Sequence, residues 1–125
     1  MRLLLDTHVF LWATAGDAKL TKAAQAVILN ADEVFVSAAS IWEISIKAAL
    51  KKIDADVDAL VAEISAAGFQ ELPVTAAHAA AVRALPDIHR DPFDRILVAQ
   101  AITEPLRLMT ADDNVAKYTE LVIKV

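Results

Sequence analysis

Short apolar runs, each closed by a polar residue able to cap a helix, set the tightest limit on what this chain can fold into. Leu3-Leu4-Leu5 is followed by Asp6, Val34-Phe35-Val36 by Ser37, and Leu106 to Thr110 by Asp112. Apolar runs of this length, without strict alternation, read as strands buried in a sheet. Between them lie segments with helix starts and stops. Asp6 or Thr7 begins a helix through Trp12 that Gly16-Asp17 breaks, and Thr21 caps a second over Lys22 to Asn30. Ser37 opens a long helix to about Lys51, and another opens within Asp54 to Asp58 and stops at Gly68. Phe69 to Leu72 reads as a strand, and Thr75 caps an alanine-rich helix through Arg83. Asp91-Pro92 places an acid at the N-cap and proline at the first helical position, starting a helix to about Thr103. A short helix over Asp112 to Lys117 and a strand over Leu121 to Val125 complete the chain. Strands alternating with helices specify an α/β fold, a three-layer α/β/α sandwich around a central parallel sheet. With no repeat, linker or change in composition, residues 1–125 read as one domain.

Four acidic residues interrupt otherwise apolar sequence: Asp6, Glu43, Asp94 and Asp112. In the expected fold Asp6 and Asp112 fall at the carboxyl ends of strands and Asp94 near a helix start. Ligand crevices of parallel sheets open at those carboxyl ends, so acids scattered in sequence can meet there. Three of them also have a structural explanation, Asp6 and Asp112 as N-caps and Asp94 through a capping-box-like spacing from Asp91. Glu43 lies too far into its helix for capping, and its alternative is an exposed i,i+4 pair with Lys47. Carboxylates gathered near a core repel one another unless a cation intervenes. An all-oxygen donor set, with no cysteine and no His-x-x-x-His pair, suits Mg²⁺, with Mn²⁺ as a substitute, and argues against zinc. Such ions bind phosphates and activate water, which leads to phosphoryl or phosphodiester chemistry.

Composition restricts the partners. The net charge is −5 and the pI about 5.0, so a nucleic acid cannot be held by the global field and requires local basic groups or metal ions. The hydrophobic fraction of 57% is high for a monomer and is compatible with a face that another chain covers. The absence of cysteine excludes a disulfide framework and fits a reducing, cytoplasmic setting. Arg2, the apolar run after it and Ala13-Thr14-Ala15 imitate a signal peptide, but Asp6 and His8 fall inside its apolar region. No uncharged apolar run approaches the ~18 residues of a membrane span.

The order and spacing of four segments resemble the PIN-domain ribonucleases, specifically the VapC-type toxins of type II toxin–antitoxin systems. These are Leu4-Leu5-Asp6-Thr7-His8-Val9-Phe10-Leu11-Trp12, Ser37 to Ile44 around Trp42-Glu43, His89-Arg90-Asp91-Pro92-Phe93-Asp94-Arg95, and Thr110-Ala111-Asp112. The resemblance spans essentially the whole chain. It implies a PIN-like fold in which Asp6, Glu43, Asp94 and Asp112 form the acidic catalytic and metal-binding set. Thr110 matches a small hydroxyl residue beside that pocket, while Asp91 is either an outer acid or a helix cap. Asp113, next to Asp112, leaves the last assignment open by one residue. The activity implied is metal-dependent endoribonuclease cleavage of single-stranded or loop RNA, with water attacking phosphorus in line with the departing 3′ oxygen. The partners implied are a VapB-like antitoxin that blocks the pocket and a second copy of the chain in a homodimer.

Around these acids, Lys47, Lys51, Lys52, Arg90 and Arg95 are candidates for phosphate contacts, with Arg95 the best placed and the Lys51-Lys52 pair better read as solvated charge. Trp12 and Trp42 suit base stacking or, more simply, apolar packing. His8, His78 and His89 are dispersed and are given no catalytic role. Two rival functions fit the same acids. An aspartate-based, Mg²⁺-dependent phosphohydrolase of the haloacid dehalogenase type also begins with an Asp after a first strand, but this chain has His8 where that family wants a second acid. A non-catalytic PIN-like interaction module would have less reason to retain all four acids.

Overall fold

In the computed structural model, which describes residues 1–125, the expected alternation is present throughout. The elements run β1 (Arg2–Leu5), α1 (Thr7–Ala15), α2 (Lys22–Asn30), β2 (Glu33–Ser37), α3 (Ala38–Ala49) and α4 (Val57–Ala66). They continue with β3 (Gln70–Leu72), α5 (Ala76–Ala81), a 3₁₀ turn (Val82–Ala84), α6 (Pro92–Thr103), β4 (Arg107–Thr110), α7 (Asp113–Ala116) and β5 (Val122–Lys124). All strand pairings are parallel, in the order β3-β2-β1-β4-β5.

The strand side chains alternate between two cores, which makes the molecule three-layered. On one face Leu3, Leu5, Val34, Val36 and Met109 pack with Val9 and Phe10 of α1, Ala24 of α2, Ile44 of α3 and Ile64 of α4. On the other, Leu4, Phe35, Leu72 and Leu108 pack with Leu97, Val98 and Ala101 of α6 and with Val115 and Tyr118. Leu3, Leu4 and Leu5 are wholly buried, as the unbroken apolar run requires of a central strand covered on both sides.

Caps fix where the helices begin. Thr21 accepts a hydrogen bond from the Ala24 amide, Ser37 from Ala39 and Thr75 from His78, as the sequence predicts. The region between α3 and α4 departs from expectation. α3 ends at Ala49, and Lys51 takes a left-handed conformation, φ 57°, that prevents its continuation. α4 begins only at Val57 because Asp56, rather than an earlier acid, accepts from the Ala59 amide. The alanine-rich helix is also shorter, tightening into the 3₁₀ turn after Ala81. No helix is long and apolar enough to cross a membrane.

Strand order reverses at β1. The chain moves outward through β2 and β3, then returns to place β4 on the other side of β1. That reversal leaves a crevice beyond the carboxyl ends of β1 and β4. Asp6 directly follows β1, and Asp112 lies two residues beyond β4.

Candidate active site

Two of the acids at this crevice do cap helices, and capping leaves each an oxygen to spare. Asp6 Oδ1 accepts from the Val9 amide at 2.9 Å, and Asp112 Oδ1 from the Asn114 amide at 2.7 Å. A carboxylate has two oxygens, so a cap and a ligand are compatible roles for one side chain. Asp91 is the N-cap of α6, accepting from the amides of Phe93 at 2.9 Å and Asp94 at 3.2 Å, and is itself exposed. Asp94, in the first turn of α6, closes no capping box. Its Oδ2 meets His89 Nε2 at 3.1 Å.

The most compact donor set is His89, Asp94 and Asp112, whose nearest ligand atoms all lie within 4.8 Å of one another. The half-buried His89 was not among the residues picked from sequence for chemistry. Its signal there is its position five residues before Asp94, where the loop entering α6 folds the ring back over the first helical turn. Asp113 pairs with Lys124 at 3.3 Å, and Asp112, although exposed like its neighbour, is the one of the two that joins the donor set.

Asp6 and Glu43 make a second acidic pair, close enough to influence each other's charge, and both are buried at 5% exposure. The sequence alternative of an exposed Glu43–Lys47 pair is half realised. Lys47 Nζ donates to Glu43 Oε2 at 2.7 Å, but the carboxylate is inside, while Trp42 one position earlier is the exposed residue. Glu43 Oε1 accepts from the Thr7 hydroxyl at 2.7 Å, which also lies 3.0 Å from the buried Ser40 hydroxyl. Thr110 joins the two parts of the site. Its hydroxyl accepts from the Asp112 amide at 3.0 Å, and the side chain is near enough to Asp6 to favour its ionised form.

Electrostatics distinguish these acids. Burial pushes the Asp6 carboxyl above its ordinary range, with Glu43 adding to the rise and Thr110, Val9 and His8 opposing it. Asp94 is raised to about 6, mainly by burial and further by the Asp91 and Asp112 charges, against the opposing hydrogen bond from His89. Carboxylates held up in this way are those a divalent cation would return to the ionised form. The donor set fits such an ion: carboxylates from Asp94 and Asp112 and a ring nitrogen from His89.

Of the basic candidates, Arg90 is exposed, as are Lys51 and Lys52 at the far end of α3. Arg95 pairs with neither Asp91 nor Asp94. Its guanidinium donates to the Pro86 carbonyl at 2.9 Å and the Tyr118 hydroxyl at 3.0 Å, and lies 5.7 Å from the Tyr118 ring centre. Trp42 is 64% exposed and stands edge-on to Phe93, with ring centres 5.2 Å apart. Together with Val74, Val82 and Ile96 these rings line an open apolar groove of about 690 Å³, with Arg90 and Arg95 in its wall.

Residues 3–121 match the PIN domain family. The chain is 35% identical over 112 residues to Ribonuclease VapC22 of Mycobacterium tuberculosis, spanning 88% of this chain and 86% of that protein. The same fold occurs in a crystal structure of VapBC2 from Rickettsia felis bound to a DNA fragment from their promoter, with TM-score 0.73 and 14% identity over 100% of this chain and 98% of that one. It occurs again in a toxin–antitoxin complex from Klebsiella pneumoniae, with TM-score 0.68 and 18% identity over 98% and 96% of the two chains. The fold, the match over nearly its whole length and the VapC relative agree: this chain belongs to the PIN-domain family, in its VapC ribonuclease branch.

Proposed function

We propose that this chain is a metal-dependent endoribonuclease that acts as the toxin of a toxin–antitoxin pair. The observation that carries the reading is the convergence of Asp94, Asp112 and His89 at the strand-order reversal, in a chain of the VapC branch. Asp94 and Asp112 hold a divalent ion, Mg²⁺ or Mn²⁺, with Asp6 and Glu43 completing the acidic set. When bound, such an ion offsets charge on the scissile phosphate and makes water more acidic. Thr7 and Lys47 hold the two oxygens of Glu43, and Thr110, near Asp6, holds the Asp112 amide, so the acids keep their orientation as charge changes around them.

A polyanionic substrate reaches an acidic protein through local contacts. Arg90, exposed in the groove wall four residues before Asp94, is the residue we assign to a substrate phosphate. Arg95 shapes the same wall through its bonds to Pro86 and Tyr118. The substrate proposed is single-stranded or loop RNA, since a crevice beyond the strand ends accommodates an extended strand more readily than a duplex.

Two protein partners belong to this reading, in a cytoplasmic setting. A VapB-like antitoxin is supported by the assemblies in which the solved relatives occur. A second copy is supported by the exposed Trp42, Ile46 and Val74, which form an apolar face unusual for a monomer of this size.

The decisive experiment incubates purified chain, freed of any co-purifying partner, with a mixed RNA pool and Mg²⁺. Discrete cuts that vanish with EDTA and with Asp94→Asn are the expected result. Cleavage that persists in either control would overturn the assignment, as would a folded, partner-free chain that cuts nothing in the pool. A stable phosphoaspartate at Asp6 would favour a phosphohydrolase instead.

A further inference from the structure

The reading of the site as oxygen-only, and hence as matched to Mg²⁺, does not account for the imidazole in its most compact part. His89 Nε2 lies 3.1 Å from Asp94 Oδ2, and a ring nitrogen lies within 4.8 Å of an Asp112 oxygen. Two donors on adjacent octahedral vertices, with bonds of about 2.1 Å, stand about 3.0 Å apart. The observed separation, that of a hydrogen bond, is also one that two ligands of a single ion can adopt.

The other side of the ring is equally constrained. His89 Nδ1 is 2.8 Å from the Tyr118 hydroxyl, which Arg95 holds by a 3.0 Å donation from its guanidinium. The Tyr118 hydroxyl also faces the His89 carbonyl at 3.2 Å. Its single proton thus has two acceptors within reach, Nδ1 and that carbonyl. With the proton on Nδ1, the ring carries its own hydrogen at Nε2 and donates it to Asp94. With the proton on the carbonyl, Nδ1–H donates to the Tyr118 oxygen in place of the His89 amide, which lies 3.2 Å from it, and the Nε2 lone pair is free to face a cation held by the carboxylates. Going from the first arrangement to the second, Nε2 gives a proton to solvent and Nδ1 takes one, so the net charge of the ring is unchanged. Ligating histidines are commonly oriented by such a bond at the second nitrogen.

We infer that His89 is a nitrogen ligand of the ion held by Asp94 and Asp112, with Tyr118 holding the far side of the ring, and that the site consequently favours Mn²⁺ over Mg²⁺. Imidazole suits transition ions, whereas Mg²⁺ prefers an all-oxygen octahedron and gives up water reluctantly. The inference rests on the site binding a divalent ion at all, and its test separates the two claims.

Full-length protein is stripped of metal, and Mn²⁺ binding is followed by calorimetry and by electron spin echo modulation. Bound Mn²⁺ with ¹⁴N coupling, lost in His89→Gln and retained in His8→Gln, is the expected result. His89→Gln should weaken Mn²⁺ binding by about tenfold while altering Mg²⁺ binding far less. Tyr118→Phe, which keeps the ring and removes only the hydroxyl, should also weaken Mn²⁺ binding. Circular dichroism of each variant checks that it folds, and the wild-type spectrum alone decides whether nitrogen is bound. Bound Mn²⁺ without ¹⁴N coupling, or coupling that survives His89→Gln, overturns the role of His89 and leaves the metal site standing. Failure of the wild type to bind either ion overturns both.

Discussion

The Thr7 hydroxyl donates to Glu43 Oε1 across 2.7 Å, joining the first turn of α1 to the interior of α3. Thr7→Val keeps the side-chain shape and removes the donor, leaving a buried carboxylate oxygen with no partner. The expected cost is about 1–3 kcal/mol of stability, read from urea unfolding. An unchanged midpoint would mean that the Glu43–Lys47 pair alone satisfies the carboxylate.

Stability of the metal-free protein should fall as pH rises toward neutrality. Asp94 is raised to about 6 in the fold, whereas in the unfolded chain it titrates near the ordinary aspartate value. Between those values the native state binds the extra proton, so its advantage is complete at low pH and disappears by about pH 6. The buried Asp6, also raised, acts in the same direction. Thermal melts from pH 4 to 7 should show this limb flattened in Asp94→Asn, and a limb of full size in that variant would refute the assignment.

Metal should reverse that trend. A cation binds the ionised carboxylates, so its affinity rises over the same range of pH. At pH 7 and 100-fold above its dissociation constant, Mn²⁺ should stabilise the chain by about 2.7 kcal/mol. Calorimetric melts with and without EDTA measure this, and Asp94→Asn and Asp112→Asn should lose most of the gain.

Asp91 offers a separation of capping from chemistry. Asp91→Ala removes the oxygen that accepts from two amides at the start of α6 and should cost about 0.5–2 kcal/mol, while Asp91→Ser restores the cap. Cleavage should survive in the serine variant. Its loss there, with stability restored, would show that the Asp91 carboxylate itself serves the reaction.

Trp42→Glu should convert a dimer into monomers in sedimentation velocity runs. With Trp42 64% exposed, the change should move monomer stability by only about 0.5 kcal/mol. A wild type that is already monomeric would sink the proposed homodimer.

The alternation of strands and helices was legible because each buried strand ends in a residue whose side chain also starts the next helix. Asp6, Ser37 and Asp112 carry both signals at once. Legibility failed where several candidates compete, as between Asp54 and Asp58, since only tertiary packing decides which acid becomes the cap. The side on which Glu43 lies was ambiguous for a similar reason. Helical periodicity places Trp42 and Glu43 on different stripes, and the larger apolar residue would ordinarily be taken as the inner one. The fold buries the carboxylate because Thr7 and Lys47 satisfy it, and leaves the indole outside. His89 was missed because its contribution depends on Tyr118, 29 residues later, and such a pairing has no local spacing to betray it.

The proposed centre takes its parts from almost the full span of the chain, beginning at Asp6 and ending at Asp112, with Tyr118 beyond. While the polypeptide is being made, β1 emerges long before β4 can lie beside it, so no partial product carries the assembled donors. A toxin arranged in this way stays inactive until the segment carrying Asp112 has been made and β4 has paired with β1. Proteolytic nicking between the two ends, if the fragments separate, disarms it just as completely.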